Sequence, residues 1–280
     1  MTASLAWNRY GKSLVRVMKV TRTGPRHNLR ELSVNIGLEG NFTAAHTRGD
    51  NSAVLPTDTM KNTVYALART DPVSSIESFA RLLARHFVNT VPHVALARVE
   101  ITETQWQRIE TDATPHNHTF QRLGPETPAC TVESERGSDR VRSGLRGLVI
   151  LKSAQSAFSG FMRDKFTTLK ETDDRIMGTS VTAAWPVSPT ADFNAARHAV
   201  RQALISTFAA HQSLSVQQTL FAMGEAALRA TTLIDEITLS LPNKHCLLVD
   251  LAPFGLTNPN EIFLPIDEPH GLIEATIRRN

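Results

Sequence analysis

Apolar and polar side chains alternate in several short stretches of the N-terminal half. Residues 14–20 read Leu-Val-Arg-Val-Met-Lys-Val, a pattern typical of a half-buried strand. A second strand is predicted over residues 32–42, after a turn at Gly24-Pro25, and a third over residues 94–104. The pattern therefore predicts strands that pair into an antiparallel sheet.

Between the second and third strands the apolar period lengthens to that of a helix. Thr57-Asp58 supplies residue types that begin helices, and Asp71-Pro72 is expected to end the first helix. Ser74 or Ser75 is expected to cap the next one, in which apolar residues from Ile76 to Phe87 recur at helical spacing. A pair of helices thus follows the first pair of strands.

The C-terminal half repeats this order. Strands are predicted over residues 145–151, 180–185, 234–241 and 246–251, and helices over residues 191–210 and 216–229. The charged stretch 133–142 is interpreted as a surface loop. We therefore predict two tandem α+β units, residues 1–138 and 139–280, each with helices on one face of an antiparallel sheet. Uncovered sheet edges favour assembly of several chains, whose sheets can close into a barrel.

Composition and charge exclude several classes of protein. The chain has 280 residues, 41% of them hydrophobic and 20% charged, as in ordinary globular proteins. Its net charge of +3 comes from scattered basic residues, which argues against nucleic-acid binding, and no apolar run predicts a membrane span. Two distant cysteines, no signal-like N-terminus and a C-terminal Arg278-Arg279-Asn280 instead of Ser-Lys-Leu lead us to expect the cytoplasm.

Candidate chemistry is concentrated in residues 148–175. A strand-like apolar run leads into a polar segment that contains the isolated Phe158, and an acidic run ends at Arg175. A phenylalanine is usually a core residue, and an arginine after two aspartates usually makes a surface ion pair. The alternative is that the ring and the guanidinium hold a flat anion rich in hydrogen-bonding groups.

Two further segments carry polar groups in the first half. Lys12 acts as a base only if burial or neighbours lower its pKa; otherwise it is a solvated lysine. Thr57 and Asp58 are interpreted first as a helix cap. A helix start also exposes backbone N–H groups that bind anions, and the Thr57 hydroxyl can relay a proton.

The second half adds a helix start and a strand entry. Val216 and Gln217 begin a helical run, where a glutamine is ordinarily a cap or a solvated side chain. Asn243 and His245 alternate, so their side chains are expected to point the same way into a shared pocket, although asparagine is also common in turns.

No segment indicates a cofactor. His116 and His118 alternate as a pair of metal ligands would, but no nearby Cys, Asp or Glu completes a ligand set. The sequence also contains no Gly-rich phosphate loop, nucleophile elbow or dinucleotide fingerprint. We therefore expect neither a metal nor an organic cofactor.

In this order, the segments resemble urate oxidases, and specifically their bacterial branch, over nearly the whole chain. One departure is Ala154, where the family usually has threonine, and another is Pro56 just before Thr57. The matching landmarks are Tyr10-Gly11-Lys12, Thr57-Asp58, Lys61-Asn62-Thr63, His116-Asn117-His118, residues 148–175, Ser215-Val216-Gln217, Leu241-Pro242-Asn243-Lys244-His245, Pro259-Asn260-Glu261 and residues 271–276.

The resemblance implies a homotetramer of tunnelling-fold subunits with an active site at each dimer interface. One subunit is then expected to supply Lys12, Thr57 and Asp58. The neighbouring subunit is expected to supply the remaining site residues, which are Phe158, Arg175, Val216, Gln217, Asn243 and His245.

The resemblance also implies roles. Phe158 stacks on the purine, while Arg175 and Gln217 grip its edge. Lys12 and Thr57, with His245, relay a proton, and urate, dioxygen and water become 5-hydroxyisourate and hydrogen peroxide without a cofactor. The alternatives are another tunnelling-fold enzyme that acts on a pterin or deazapurine, with zinc at His116 and His118, or a purine-binding protein without turnover.

Overall fold

The structure is a computed structural model that describes residues 3–280, and the chain separates into two compact units. The first unit extends to Gly144 and also contains Pro186–Asn194. The second contains Leu145–Trp185 and Ala195–Asn280. Each unit combines antiparallel strands with helices, so the predicted α+β class is confirmed.

The first unit builds its sheet in the order β1-β2-β3-β6, and β4 and β5 form a separate hairpin. The strands are β1 (Tyr10–Thr23), β2 (Arg26–Gly40), β3 (Val94–Thr104), β4 (Trp106–Thr111), β5 (Thr114–Arg122) and β6 (Thr127–Glu135). The helices are α1 (Thr43–Arg48), α2 (Thr57–Thr70) and α3 (Ile76–Thr90).

One face of this sheet forms the core of the first unit. Every second residue of β2 from Leu32 to Leu38 is buried, and α3 buries Phe79, Leu83 and Phe87 while it packs on β3 and β6. The Ser75 hydroxyl accepts a hydrogen bond from the Ser78 N–H at 3.1 Å, so the predicted cap of α3 is confirmed. Burial of alternate strand residues under a helix therefore sets which side chains of β1 and β2 face α2 and α3.

The second unit pairs its strands in the order β8-β9-β10, antiparallel. Helix α5 packs on β9 and β10, and Gly224 permits the close approach, since a Cβ there would lie 2.6 Å from Cδ1 of Ile277. The elements are β7 (Ser138–Lys152), which begins in the first unit, β8 (Met177–Val187), α4 (Phe193–Ala210), α5 (Val216–Ala230), β9 (Glu236–Leu248) and β10 (Phe263–Arg278).

The interpretation of residues 133–142 as a surface loop is wrong. This stretch contains the end of β6, a tight turn at Arg136-Gly137 and the start of β7. Its charges are paired in the sheet: Glu133 accepts hydrogen bonds from Arg98 at 2.7 Å and from Arg140 at 3.2 Å. Ion pairs between neighbouring strands therefore allow a highly charged stretch to form a hairpin.

The prediction of separate strands over residues 234–241 and 246–251 is also wrong. One strand, β9, continues through Pro242, and the chain leaves the sheet after Leu248. Proline cannot donate to a ladder, and the pairing of β9 with β8 skips Leu241 and Pro242. The proline therefore lies where its missing N–H costs the sheet no hydrogen bond.

Two expectations about the chain as a whole concern its membrane and redox environment. Over residues 3–280, no helix combines the length and apolar character needed to cross a bilayer. Cys130 is buried, Cys246 is partly exposed, and no disulfide joins them. Neither cysteine therefore staples the fold.

Asp139 makes the start of β7 sensitive to acid. Its carboxylate, almost completely buried, accepts hydrogen bonds from Arg85 at 2.6 Å, Ser134 at 2.7 Å and Arg81 at 3.1 Å. Burial alone raises the pKa of Asp139, but these hydrogen bonds outweigh it and the pKa is lowered. The ionised form therefore stabilises the folded state above the ordinary aspartate pKa of about 3.9, and this contribution is lost as the pH falls through the lowered value.

We predict that Asp139→Asn lowers the free energy of unfolding at pH 7 by about 1.5 to 3 kcal/mol, the usual contribution of hydrogen bonds to a charged group. The difference from the unsubstituted protein is expected to shrink in strongly acidic solution, as measured by denaturant titrations at several pH values. Asp112→Asn, at the exposed turn between β4 and β5, is the control. A difference that stays constant with pH contradicts this assignment.

Candidate active site

The segment that carries Phe158 is fixed by backbone hydrogen bonds on both sides. Ala157 donates to the carbonyl of Ser213 at 2.8 Å, and Ser213 donates to that of Gln155 at 3.0 Å. Phe158 donates to the carbonyl of Thr172 at 2.8 Å and accepts from the Thr172 N–H at 3.1 Å. A segment outside the regular strands is thus held as firmly as a strand, and the ring position is defined.

The half-buried Phe158 ring lies beside a cation. It stacks on Phe161 with the centroids 5.0 Å apart and an interplanar angle of 14°. The guanidinium carbon of Arg175 lies 5.5 Å from the Phe158 centroid. The adjacent Asp174 does not pair with Arg175; its carboxylate accepts a hydrogen bond from the Ser156 N–H at 3.2 Å.

Arg175 has no partner for its buried donor. Its Nε atom is inaccessible to water and makes no hydrogen bond to any of residues 3–280, and the surface ion pair with the preceding aspartates does not form. Burial lowers the pKa of this guanidinium. A buried donor without an acceptor is unfavourable. Arg175 is therefore suited to receive an anionic ligand.

The start of α5 is joined to the same segment. The Thr219 hydroxyl donates to the Ser213 hydroxyl at 2.7 Å, and Ser213 lies two residues before the cap of α5. Ser215 Oγ accepts from the Gln218 N–H at 3.1 Å, and Gln218 Oε1 accepts from the Leu214 N–H at 2.8 Å. These two residues cap the helix.

Gln217 takes no part in the cap. The side chain of Gln217 is exposed, with no hydrogen bond to residues 3–280, and Val216 is buried at the first position of the helix. The first N–H groups of a helix have no intrahelical acceptor. A carboxamide and free backbone donors are thus available next to the segment that carries Phe158.

Asn243 and His245 lie on the same face of β9, as the strand period requires. Asn243 is 8% exposed and shares that face with the buried Leu241, whereas His245 is partly exposed. Opposite them β10 forms a large bulge: Ile266 pairs with His245 and Gly271 pairs with Asn243, so residues 267–270 face Lys244 alone. Bulges are common beside active sites because they redirect side chains.

In the first unit, Lys12 and the start of α2 are brought together by Tyr10. Lys12 pairs with the buried Ile36, so its side chain is on the face that α2 and α3 cover. The Tyr10 hydroxyl, two residues earlier, accepts a hydrogen bond from the Leu55 N–H at 2.9 Å. This bond ties the approach to Thr57 to the strand that carries Lys12.

The interpretation of Thr57 as a helix cap is wrong. Thr57 is the first residue of α2, Pro56 occupies the cap position with φ −55° and ψ 137°, and no side chain caps this end. The Met60 N–H bonds to the Pro56 carbonyl at 3.2 Å, which leaves the N–H groups of Thr57, Asp58 and Thr59 without intrahelical acceptors. Three unsatisfied donors at a helix start form an anion-binding end.

Asp58 is ionised beside two lysines. A hydrogen bond from Lys61 at 2.5 Å lowers the pKa of Asp58 most, and the charges of Lys61 and Lys12 lower it further. Lys12 lies on β1, the strand on which α2 packs. Lys12 therefore lies in the same unit as Thr57 and Asp58, on the strand next to the helix that begins with them.

His116 and His118 are close, but the arrangement differs from that of a metal centre. Their rings meet edge to face with centroids 4.6 Å apart, and the Thr119 hydroxyl lies 2.8 Å from Nδ1 of His116. His27 lies beside them, 5.7 Å from the His118 ring. Over residues 3–280, no group of three or more His, Cys, Asp or Glu side chains is placed to hold a metal ion.

Sequence reasoning missed the residues that hold the site residues in place. Asp174 and Ser213 support the Phe158 segment, and Tyr10 supports the start of α2. Tyr10 stands in the Tyr-Gly-Lys landmark, but its hydrogen bond connects residues 45 positions apart. A single sequence contains no signal for such a contact.

Comparison with known proteins identifies the family of the chain. The sequence model of the uricase family matches residues 8–133 and 141–274. The uricase of Arthrobacter globiformis, a bacterial relative, is 46% identical over 98% of this chain and 90% of its own length. The uricase of Dictyostelium discoideum is 40% identical over 99% and 98%.

Solved structures extend the similarity to the fold. The crystal structure of the Arthrobacter globiformis uricase superposes with a TM-score of 0.94, at 45% identity, over 100% of this chain and 96% of that chain. The resemblance inferred from the motifs, including the bacterial branch, is therefore confirmed. The chain belongs to the uricase family.

Proposed function

We propose that this chain converts urate, dioxygen and water to 5-hydroxyisourate and hydrogen peroxide, without a metal or an organic cofactor. Uricases are urate oxidases, so family membership makes the chain an oxidoreductase that acts on urate in purine degradation. The observation that carries the mechanism is the buried, unpaired Nε of Arg175 beside the Phe158 ring.

The second unit binds the purine. Phe158 stacks on the flat ring, and Arg175 donates hydrogen bonds from its fork to the ring edge. Gln217 and the backbone N–H of Val216 complete the contacts along that edge. This assignment is supported by the exposed Gln217 carboxamide and by the unsatisfied donors at the start of α5. A site that matches the hydrogen bonds of its substrate rejects analogues that lack them.

The first unit supplies the proton relay and further donors. The N–H of Asp58, at the uncapped start of α2, binds an oxygen or nitrogen of the purine. Lys12 and Thr57 accept and pass on the proton, and His245 takes part in the relay. The packing of α2 on β1, the strand that carries Lys12, supports the proximity that this relay needs.

The two groups of residues meet at a dimer interface in a homotetramer. One subunit supplies Lys12, Thr57 and Asp58, its neighbour supplies the rest, and the sheets of the subunits close into a barrel. Exposed apolar side chains in the second unit support this assembly, since interfaces bury such side chains. They include Val149 and Leu151 of β7, Met162 and Phe166 of the following loop, Leu247 of β9 and Leu264 of β10.

Electron transfer follows from the charge of the substrate. Urate is an electron-rich anion, and loss of a further proton allows it to give an electron directly to dioxygen. The protein has to hold the ring, take the proton and exclude bulk water. Asn243 and Thr57 position dioxygen first and water afterwards above the ring. Asn243 is buried, and its side chain makes no hydrogen bond to residues 3–280, which leaves its carboxamide free for this task.

A reducing cytoplasm is the proposed compartment. Hydrogen peroxide forms beside the protein, and the two thiols, Cys130 and Cys246, lie on different strands and do not pair. A disulfide framework is the usual feature of proteins that work in oxidising compartments.

The aerobic reaction tests the proposed function. The purified chain is expected to abolish the near-ultraviolet absorbance of urate with matching oxygen uptake and peroxide release, and a chelator is expected to leave the rate unchanged. Binding of urate without peroxide identifies a non-catalytic purine-binding protein. Loss of activity with chelator, regained with zinc, favours the metal-dependent alternative.

Substitution of the relay separates chemistry from binding. Lys12→Met or Thr57→Ala is expected to lower kcat by about 10²- to 10⁴-fold, the usual contribution of a positioned acid or base. Affinity for an inert oxypurine analogue, measured by calorimetry, is expected to stay close to that of the unsubstituted protein. Equal losses in turnover and analogue affinity assign these residues to binding instead.

Arg175 is expected to show the opposite behaviour. Arg175→Met removes charged hydrogen bonds to the ligand and is expected to weaken affinity for the inert analogue about 10- to 100-fold. Without ligand, thermal stability is expected not to fall, because the substitution also removes a buried donor that has no acceptor. Arg163→Met, on the exposed loop beside Phe161, is the control. Lower thermal stability of Arg175→Met, with unchanged affinity for the analogue, contradicts the assignment.

A further inference from the structure

Strand β1 contains an irregularity directly beside Lys12. Lys12 pairs with Ile36, but the next paired residue of β1 is Val15, which pairs with Val34. Ser13 and Leu14 therefore lie together opposite the single residue Asn35, which is the arrangement of a β-bulge.

The bulge decides which face of the sheet Lys12 occupies. From Val15 to Thr23, the register places Val15 opposite the buried Val34, on the face that the helices cover. If that register continued towards the N-terminus, Lys12 would lie opposite Gly37 and its side chain would point to the other face. With the extra residue, Lys12 and Val15 face the helices although they are three positions apart.

The bulge has a conformational cost that the local sequence does not relieve. Leu14 has φ +56°, in the left-handed region that favours glycine, and its side chain is exposed. Its N–H has no ladder partner. The Asn35 side chain replaces that partner: Oδ1 of Asn35 accepts a hydrogen bond from the Leu14 N–H at 2.8 Å.

We infer that Asn35 is a positioning residue for Lys12, acting through the Leu14 bulge. This inference rests on the proposed role of Lys12 in the proton relay. The Asn35 carboxamide, on the face away from the helices, fixes the one position where β1 changes register. Without this bond the register of β1 around Lys12 is no longer fixed, and small displacements of catalytic groups cost rate rather than binding.

Replacement of Asn35 by a side chain of similar shape without an acceptor tests the inference. Asn35→Leu is expected to lower kcat for urate by about 10²-fold, the scale of a displacement of about 1 Å. Affinity for an inert oxypurine analogue is expected to change little. Ser33→Ala, two residues away on the same face of β2, is the control and is expected to keep the kcat of the unsubstituted protein.

Glycine at position 14 provides a rescue. Leu14→Gly adopts a positive φ without strain, so the bulge is expected to persist without help from Asn35. The double variant Leu14→Gly with Asn35→Leu is therefore expected to regain most of the kcat, which a general loss of stability would not explain. If Asn35→Leu fails to fold, the double variant carries the test. A folded double variant as slow as Asn35→Leu, or an Asn35→Leu with unchanged kcat, overturns the inference.

Hydrogen exchange at Leu14 separates this inference from the proposed function. The Leu14 amide is expected to exchange slowly in the unsubstituted protein and at least tenfold faster in Asn35→Leu, whether or not urate is oxidised. Failure of the unsubstituted protein to oxidise urate refutes the proposed function alone. Unchanged exchange at Leu14 in Asn35→Leu refutes the role of Asn35 alone.

Discussion

An arginine whose buried Nε has no hydrogen-bond acceptor among residues 3–280 is the constraint around which the second unit is organised. Arg175 could have paired with Asp174, but that carboxylate is engaged by the Ser156 N–H and holds the Phe158 segment instead. The free energy that this unsatisfied donor costs must be offset by the apolar core beneath α5, where Leu220, Met223 and Leu239 are almost fully buried. The fold thus keeps one strong donor unsatisfied, and in the proposed function an anionic ring satisfies it.

Much of the fold could be predicted from the sequence because periodicity reports burial. The spacing of Phe79, Leu83 and Phe87 identified α3 because those side chains share one buried face. Prediction failed where a strand is held by pairing with its neighbours and not by the burial of alternate residues. Glu133 and Arg140 belong to a charged hairpin whose ion pairs form across strands, and Pro242 interrupts a pattern but not β9. Such contacts cannot be predicted until the neighbouring strand is known.

The site was predictable mainly through the order of its motifs. Phe158 and Arg175 resemble family landmarks, and the structure places them side by side. The contacts that support the site were not predictable, because Tyr10 and Leu55, which fix the approach to Thr57, meet over a long sequence separation. The bulge at Leu14 gives no local signal either, since no glycine marks the positive φ. Thr57 was misread because threonine is typical both of caps and of first turns, and Pro56 already holds the cap position.

The cap of α5 has a consequence for how this site can change during evolution. At the start of α5, Ser215 accepts a hydrogen bond from the Gln218 N–H, and the Gln218 side chain accepts one from the Leu214 N–H. The intervening Gln217 therefore contributes nothing to helix initiation. Mutations at position 217 can therefore accumulate without lowering the stability of the fold, in contrast to sites where one residue serves both folding and recognition. With the role proposed for Gln217, selection on ligand preference can act there almost independently of selection on folding.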